Sequence, residues 1–213
     1  MTPFSFLSAL RISPFLGILR GVETSHLPHI AQVAKAAQLD FIEITMNTKG
    51  AVDLIRILSK LCKPLNIEVG AGTVRTLDDL HMAIDAGAEF IVSPSCNPAI
   101  IDHCARHGMP CLPGALTPTE IQTAFDAGAT CIKVFPAKVL GGPAYFKELR
   151  GPFHDIPLLA CGGVDTHNAA EYFASGADAL AFGSSIFRPE WLVAGEWEKV
   201  ISAIKKLRES TGK

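Results

Sequence analysis

One phrase occurs three times in this chain: a small-residue turn holding a glycine, followed at once by a short apolar run. Asp85-Ala-Gly-Ala88 leads into Phe90-Ile-Val-Ser-Pro94, and Asp126-Ala-Gly-Ala129 into Cys131-Ile-Lys-Val-Phe-Pro136. Ser175-Gly-Ala-Asp178 leads into Ala179-Leu-Ala-Phe-Gly-Ser184. Each copy reads as a helix end closed by a glycine free to take positive φ, then a buried strand. With weaker copies admitted, strands are expected at 15–20, 41–47, 66–72, 90–94, 110–113, 131–136, 157–161 and 179–183, starting about 20 to 26 residues apart. Amphipathic stretches such as 26–37, 49–61, 76–86 and 166–175 lie between them. Short apolar strands alternating with helices call for a parallel sheet, because each crossover takes a dozen or more residues. Eight such units in 213 residues predict an α/β chain folded as one (β/α)8 TIM barrel domain, 1–213. Residues 2–11 would add a short extra N-terminal helix and 196–209 the closing helix. A doubly wound open sheet is the alternative, but no Gly-x-Gly-x-x-Gly follows the first strand.

Composition narrows the partners. Apolar residues at 48% suffice for a sizeable core. Nineteen Lys and Arg against 21 Asp and Glu leave a formal charge of −2 with no basic run, which removes the footprint of a general nucleic-acid binder. No stretch reaches the ~18 to 20 apolar residues that span a bilayer. Met1 to Leu10 carries no basic region before its apolar residues, so no signal peptide is expected. Six cysteines without a Cys-x-x-Cys pair read as reduced, buried small hydrophobes of a cytoplasmic protein.

Side chains alternate along a strand, so parity assigns faces. In 41–47, Ile42, Ile44 and Met46 suit covering helices, which sends Glu43, Thr45 and Asn47 inward. In 131–136, Ile132 and Val134 face out while Cys131, Lys133 and Phe135 face in. Ile18 and Arg20 share the inner face of the first strand, and Gly70-Ala-Gly-Thr73 brings Thr73 to the same rim. An inward lysine and glutamate, with an arginine and a threonine, thus converge at the C-terminal mouth, where barrels carry their active sites. Burying such charges is costly unless they pair. Each also has a plain structural reading: Lys133, Glu43 and Arg20 as ion-pair partners, Thr73 as a cap, Phe135 as core, Asn47 as a turn. Glu68, of opposite parity to Thr73, reads as exposed and without a function. His103 and His107, one helical turn apart, are a weak metal pair on a solvated helix; His26, His29, His81, His154 and His167 read as surface.

Ala160-Cys-Gly-Gly163 and Phe182-Gly-Ser-Ser185 end the last two strands. Glycines let backbone amides approach a ligand, and these two loops are the usual phosphate site of such barrels, unless they are tight turns only. A partly desolvated lysine is biased toward the neutral amine, which attacks a ketone to form a Schiff base. A neighbouring carboxylate can shuttle the protons. With an anion pocket at the mouth, the chemistry deduced is lysine-dependent cleavage of a phosphorylated keto compound.

At these residues the chain resembles the aldolases of 2-keto-3-deoxy-6-phosphogluconate and 4-hydroxy-2-oxoglutarate, over about residues 15 to 190. The resemblance is carried by Glu43-Ile-Thr45, Gly70-Ala-Gly-Thr-Val74, Ser93-Pro94, Leu112-Pro-Gly114, Lys133-Val-Phe-Pro136, Gly162-Gly163 and Gly183-Ser184. It implies Lys133 as the Schiff-base lysine and Glu43 as the general acid/base. It implies Thr73 on the pyruvate carboxylate, Phe135 and Pro94 on the pyruvyl carbons, and phosphate on Gly162, Gly163, Gly183 and Ser184. No metal or other cofactor is implied, and trimers of barrels are. The gluconate pattern has arginine where this chain has Asn47; Arg20 in Ile-Leu-Arg-Gly21 looks like its substitute, as in the 6-phosphogalactonate branch. Cys161 stands where the gluconate branch has threonine and the galactonate branch valine, and so points to neither. The competing functions are a phosphate-binding isomerase or epimerase using Glu43 without covalent chemistry, and a non-catalytic sugar-phosphate-binding barrel.

Overall fold

A computed structural model describes residues 1–212. Nine strands run β1 (Phe15–Leu19), β2 (Phe41–Thr45), β3 (Glu68–Gly72), β4 (Ile91–Val92), β5 (Cys111–Leu112), β6 (Gly114–Ala115), β7 (Ile132–Val134), β8 (Leu158–Cys161) and β9 (Ala179–Phe182). The helices are α1 (Pro3–Ile12), α2 (Leu27–Ala36), α3 (Ala51–Cys62), α4 (Leu77–Asp85), α5 (Pro98–Arg106), α6 (Pro118–Asp126), α7 (Pro143–Arg150), α8 (Ala169–Ala174), α9 (Pro189–Val193) and α10 (Trp197–Thr211). Every pairing is parallel, in the order β5-β4-β3-β2-β1-β9-β8-β7-β6. The two ends of that order, β5 and β6, are separated in the chain by Pro113 alone, so the chain itself completes the ring. Proline has no N–H to give a ladder, which splits one stave into two short pieces. Its carbonyl still accepts from Lys133 N at 2.9 Å. The eight expected staves are therefore all present, the fifth interrupted.

The repeated phrase folds the same way each time. Gly87, Gly128 and Gly176 take φ of +94°, +94° and +99°. The next residue then donates back across the helix end: Ala88 N to Ala83 O at 3.0 Å, Ala129 N to Ala124 O at 3.1 Å, Ala177 N to Tyr172 O at 3.0 Å. That bond satisfies a carbonyl the helix terminus would otherwise leave open. The residue one step further enters the strand and ties it to its neighbour twice. Its backbone N–H donates (Glu89 to Val69 O, Thr130 to Cys111 O, Asp178 to Leu158 O). Its side chain accepts from an amide of that same strand, Val69 N at 3.1 Å, Cys111 N at 3.0 Å and Leu158 N at 2.8 Å.

Side chains sort as strand parity requires. Ile42, Ile44, Val69, Ala71, Ile132 and Val134 pack outward against the helices. Leu16, Phe41, Phe90, Leu112, Cys131 and Leu159 fill the interior. The short N-terminal helix closes the floor. Phe6 and Leu10 of α1 join the interior cluster, with Phe6 5.0 Å from the Phe41 ring and 5.1 Å from Phe90. Gly70 makes room for this, since a Cβ there would overlap the Phe90 ring.

Three expectations need correction. Glu68 is not an exposed bystander: Val69 and Ala71 face the helices, so Glu68 faces inward at the floor and is half-buried. Parity was counted through Thr73, whose φ of +57° ends the alternation. His103 is half-buried rather than solvated, stacked on His107 with ring centroids 4.2 Å apart and 5.1 Å from His81. All six cysteines are free, but Cys96 is only partly buried.

Candidate active site

Glu43 stands on β2 and Lys133 on β7, both inside the ring, with 1% and 6% of their surface exposed. The Lys133 ammonium lies 5.1 Å from the centre of the Phe135 ring. Neither oxygen of the Glu43 carboxylate has a hydrogen-bond partner within the protein. The two are therefore not hydrogen-bonded to each other, though the Lys133 charge acts on Glu43. Burial pushes the Glu43 carboxyl up, against the pull of the Lys133 and Arg20 charges. Gly72 on β3 leaves room for the Glu43 carboxylate as it stands, because a side chain there would displace it. Gly114 is required for a similar reason, since its Cβ would meet the backbone of Pro94.

A cavity of about 320 Å³ opens at the mouth; neither Glu43 nor Lys133 lines it, but Phe135, beside the Lys133 ammonium, does. Its lining gathers Arg20, Phe135, Cys161, Gly162, Gly163, Gly183 and Ser184, with Ile18, Ser185 and other residues of the β8 and β9 ends. Cys161 joins the cavity to the charges below. Burial pushes its thiol up, while Lys133, Glu43 and Arg20 all act on it electrostatically. The charges of all three ionisable groups picked out by parity therefore reach Cys161, although Arg20, unlike the buried Glu43 and Lys133, is exposed. Thr73 is half-buried at the end of β3, Pro94 half-buried, and Asn47 exposed; none of the three lines the cavity.

The backbone on either side of Arg20 is anchored. Thr45 donates to Leu19 O at 3.4 Å and bonds the Thr48 hydroxyl at 3.0 Å, and Thr48 accepts from Gly21 N at 3.1 Å. Both threonines are buried, with 1% and 6% exposure. Sequence reasoning named Thr45 as inward but passed over Thr48, three residues on; a second inward hydroxyl in the Thr-x-x-Thr spacing was the available signal.

The paired glycines are also anchored. Gly162 and Gly163 take φ of +94° and +85°, which side-chain-bearing residues rarely adopt. Gly162 O accepts from Lys138 N at 3.1 Å, and Gly163 O from Asn168 Nδ2 at 2.7 Å. Because a trans peptide directs its C=O and N–H oppositely, fixing these carbonyls fixes the direction of the Gly163 and Val164 amides. Among the described residues, no cluster of three or more His, Cys, Asp or Glu has a metal-holding arrangement. No helix among the described residues is long and apolar enough to cross a membrane.

Comparison with known proteins identifies the family. The family model described as "Aldolase: KDPG and KHG aldolase" matches residues 7–203. A 2-dehydro-3-deoxy-phosphogluconate aldolase of Treponema pallidum is 31% identical over 212 residues, covering 100% of this chain and 99% of the relative. A probable 2-dehydro-3-deoxy-6-phosphogalactonate aldolase of Rhizobium meliloti is 35% identical over 177 residues, covering 83% and 82%. Among solved structures, one described as native KDPGal superposes with a TM-score of 0.85 at 30% identity, covering 94% of this chain and 97% of that one.

Proposed function

Since the chain belongs to the KDPG and KHG aldolase family, we propose that it is a class I aldolase, a lyase cleaving 2-keto-3-deoxy-6-phosphogluconate to pyruvate and glyceraldehyde 3-phosphate. The single observation that carries the site assignment is a buried lysine and a buried, unbonded carboxylate under a glycine-lined cavity. An unsatisfied buried carboxylate costs stability, and such groups cluster where substrate supplies the missing partner.

Lys133 Nζ, as the free amine, attacks the C2 carbonyl to give a carbinolamine. Loss of water, its proton delivered through Glu43, leaves the protonated Schiff base. Glu43 then takes the proton of the C4 hydroxyl as the C3–C4 bond breaks, and the bonding pair flows into the iminium to make an enamine. Glyceraldehyde 3-phosphate leaves, a proton returns to C3, and hydrolysis frees pyruvate and Lys133. Phe135 and Pro94 flank the pyruvyl carbons, and Thr73 and Arg20 hold its carboxylate. Gly162, Gly163, Gly183 and Ser184 take the phosphate, with Cys161 beside the substrate and Asn47 outside the cavity. The chain works as a single barrel domain in the cytoplasm and assembles as a homotrimer.

A second reading, the 6-phosphogalactonate epimer as substrate, is favoured by Arg20 lining the cavity while Asn47 stays outside it. Pyruvate release from the two phosphosugar acids, measured side by side, decides between them. Borohydride trapping with pyruvate tests the chemistry: a stable adduct on Lys133 is expected, lost in Lys133→Ala together with ~10³-fold or more of the turnover. An isomerase or a binding barrel would leave no adduct, and that outcome ends the reading.

A further inference from the structure

The turn after β7 carries a cation that the family comparison does not assign. Lys138 is exposed and in no ion pair among the described residues. Two contacts tie it to the paired-glycine loop. Its backbone N–H donates to Gly162 O at 3.1 Å. Its alkyl stem lies across Gly163 so closely that a Cβ there would sit 2.7 Å from both Cβ and Cδ of Lys138. Gly163 is thus glycine for two reasons, a φ of +85° and the stem laid over it. The loop that such a stem covers lines the cavity through Gly162, Gly163 and Val164, and the Lys138 ammonium, outside that lining, is two bonds beyond the Cδ laid over Gly163. A phosphate dianion bound in the cavity at this loop comes within reach of that unpaired charge.

We propose that Lys138 is a specificity-determining residue that selects phosphorylated over unphosphorylated keto acids by placing its ammonium at the outer edge of the phosphate loop. The inference rests on the aldolase reading above. An exposed cation acts through partly screened charge, so its effect belongs mainly to binding and fades with salt. The test compares wild type, Lys138→Met and Lys138→Arg on the phosphorylated substrate and on 4-hydroxy-2-oxoglutarate, which lacks phosphate. Lys138→Met should lower the ratio of the two kcat/KM values ~10-fold, chiefly through KM for the phosphorylated acid, and Lys138→Arg should restore most of it. Raising ionic strength to about 1 M should shrink the gap between wild type and Met, since charges are then screened within ~3 Å. A ratio within twofold of wild type, in a variant that still traps pyruvate on Lys133, overturns the Lys138 inference and leaves the aldolase reading standing. Failure of wild type to trap pyruvate overturns both.

Discussion

Glu43 gains its reactivity from what surrounds it rather than from any bond. A carboxylate with both oxygens buried and unbonded, held above its ordinary pKa by burial, is a better proton acceptor than an exposed one. Glu43→Gln keeps the shape and removes the titration. Turnover should fall ~10²- to 10³-fold while pyruvate still traps slowly on Lys133. A kinetically silent variant in a pyruvate-release assay would refute the acid/base assignment. Strand alternation alone was enough to read Glu43, Lys133 and Arg20 as convergent, because each lies inside a regular strand or one residue past its end. Lys138 was not legible. It sits in a turn, Ala137–Leu140, where no period reports direction, and only its contact with Gly163 gives it a place.

At the scale of elements, the helix that precedes the barrel does the work of a missing layer. Phe6 is fully buried among Phe41 and Phe90. Phe6→Ala should cost ~3 to 5 kcal/mol in denaturant unfolding, the usual range for a core phenylalanine. The kcat of the folded fraction should hold, since the plug and the mouth are at opposite ends; a parallel fall in kcat would contradict that separation. The sequence announced this helix and the eight staves through their period and their glycine-closed helix ends. It did not announce the break at Pro113, because a proline inside an apolar run looks the same whether the strand stops or merely skips one hydrogen bond.

Across the whole molecule, the two faces of the barrel answer differently to pH. At the floor, burial and a hydrogen bond with Glu89 push the Glu68 carboxyl from its ordinary 4.5 to about 7. The folded chain therefore keeps a proton that the unfolded chain releases. The stability from this group is complete below about 4.5 and is lost as pH rises through about 7. Glu68→Gln, neutral throughout, should melt with wild type at pH 5 and ~2 to 4 °C above it at pH 8, the shift expected for about 1 kcal/mol in a domain of this size. An equal offset at both pH values in a thermal melt would sink this account.

The entry residues Glu89, Thr130 and Asp178 make the same double tie with three different side chains. One joint is thus built in three versions, from a carboxylate of either length or from a hydroxyl. At Asp178 it does double duty, since the same carboxylate meets Arg150 at 2.6 Å and so fastens a helix to the base of the molecule as well.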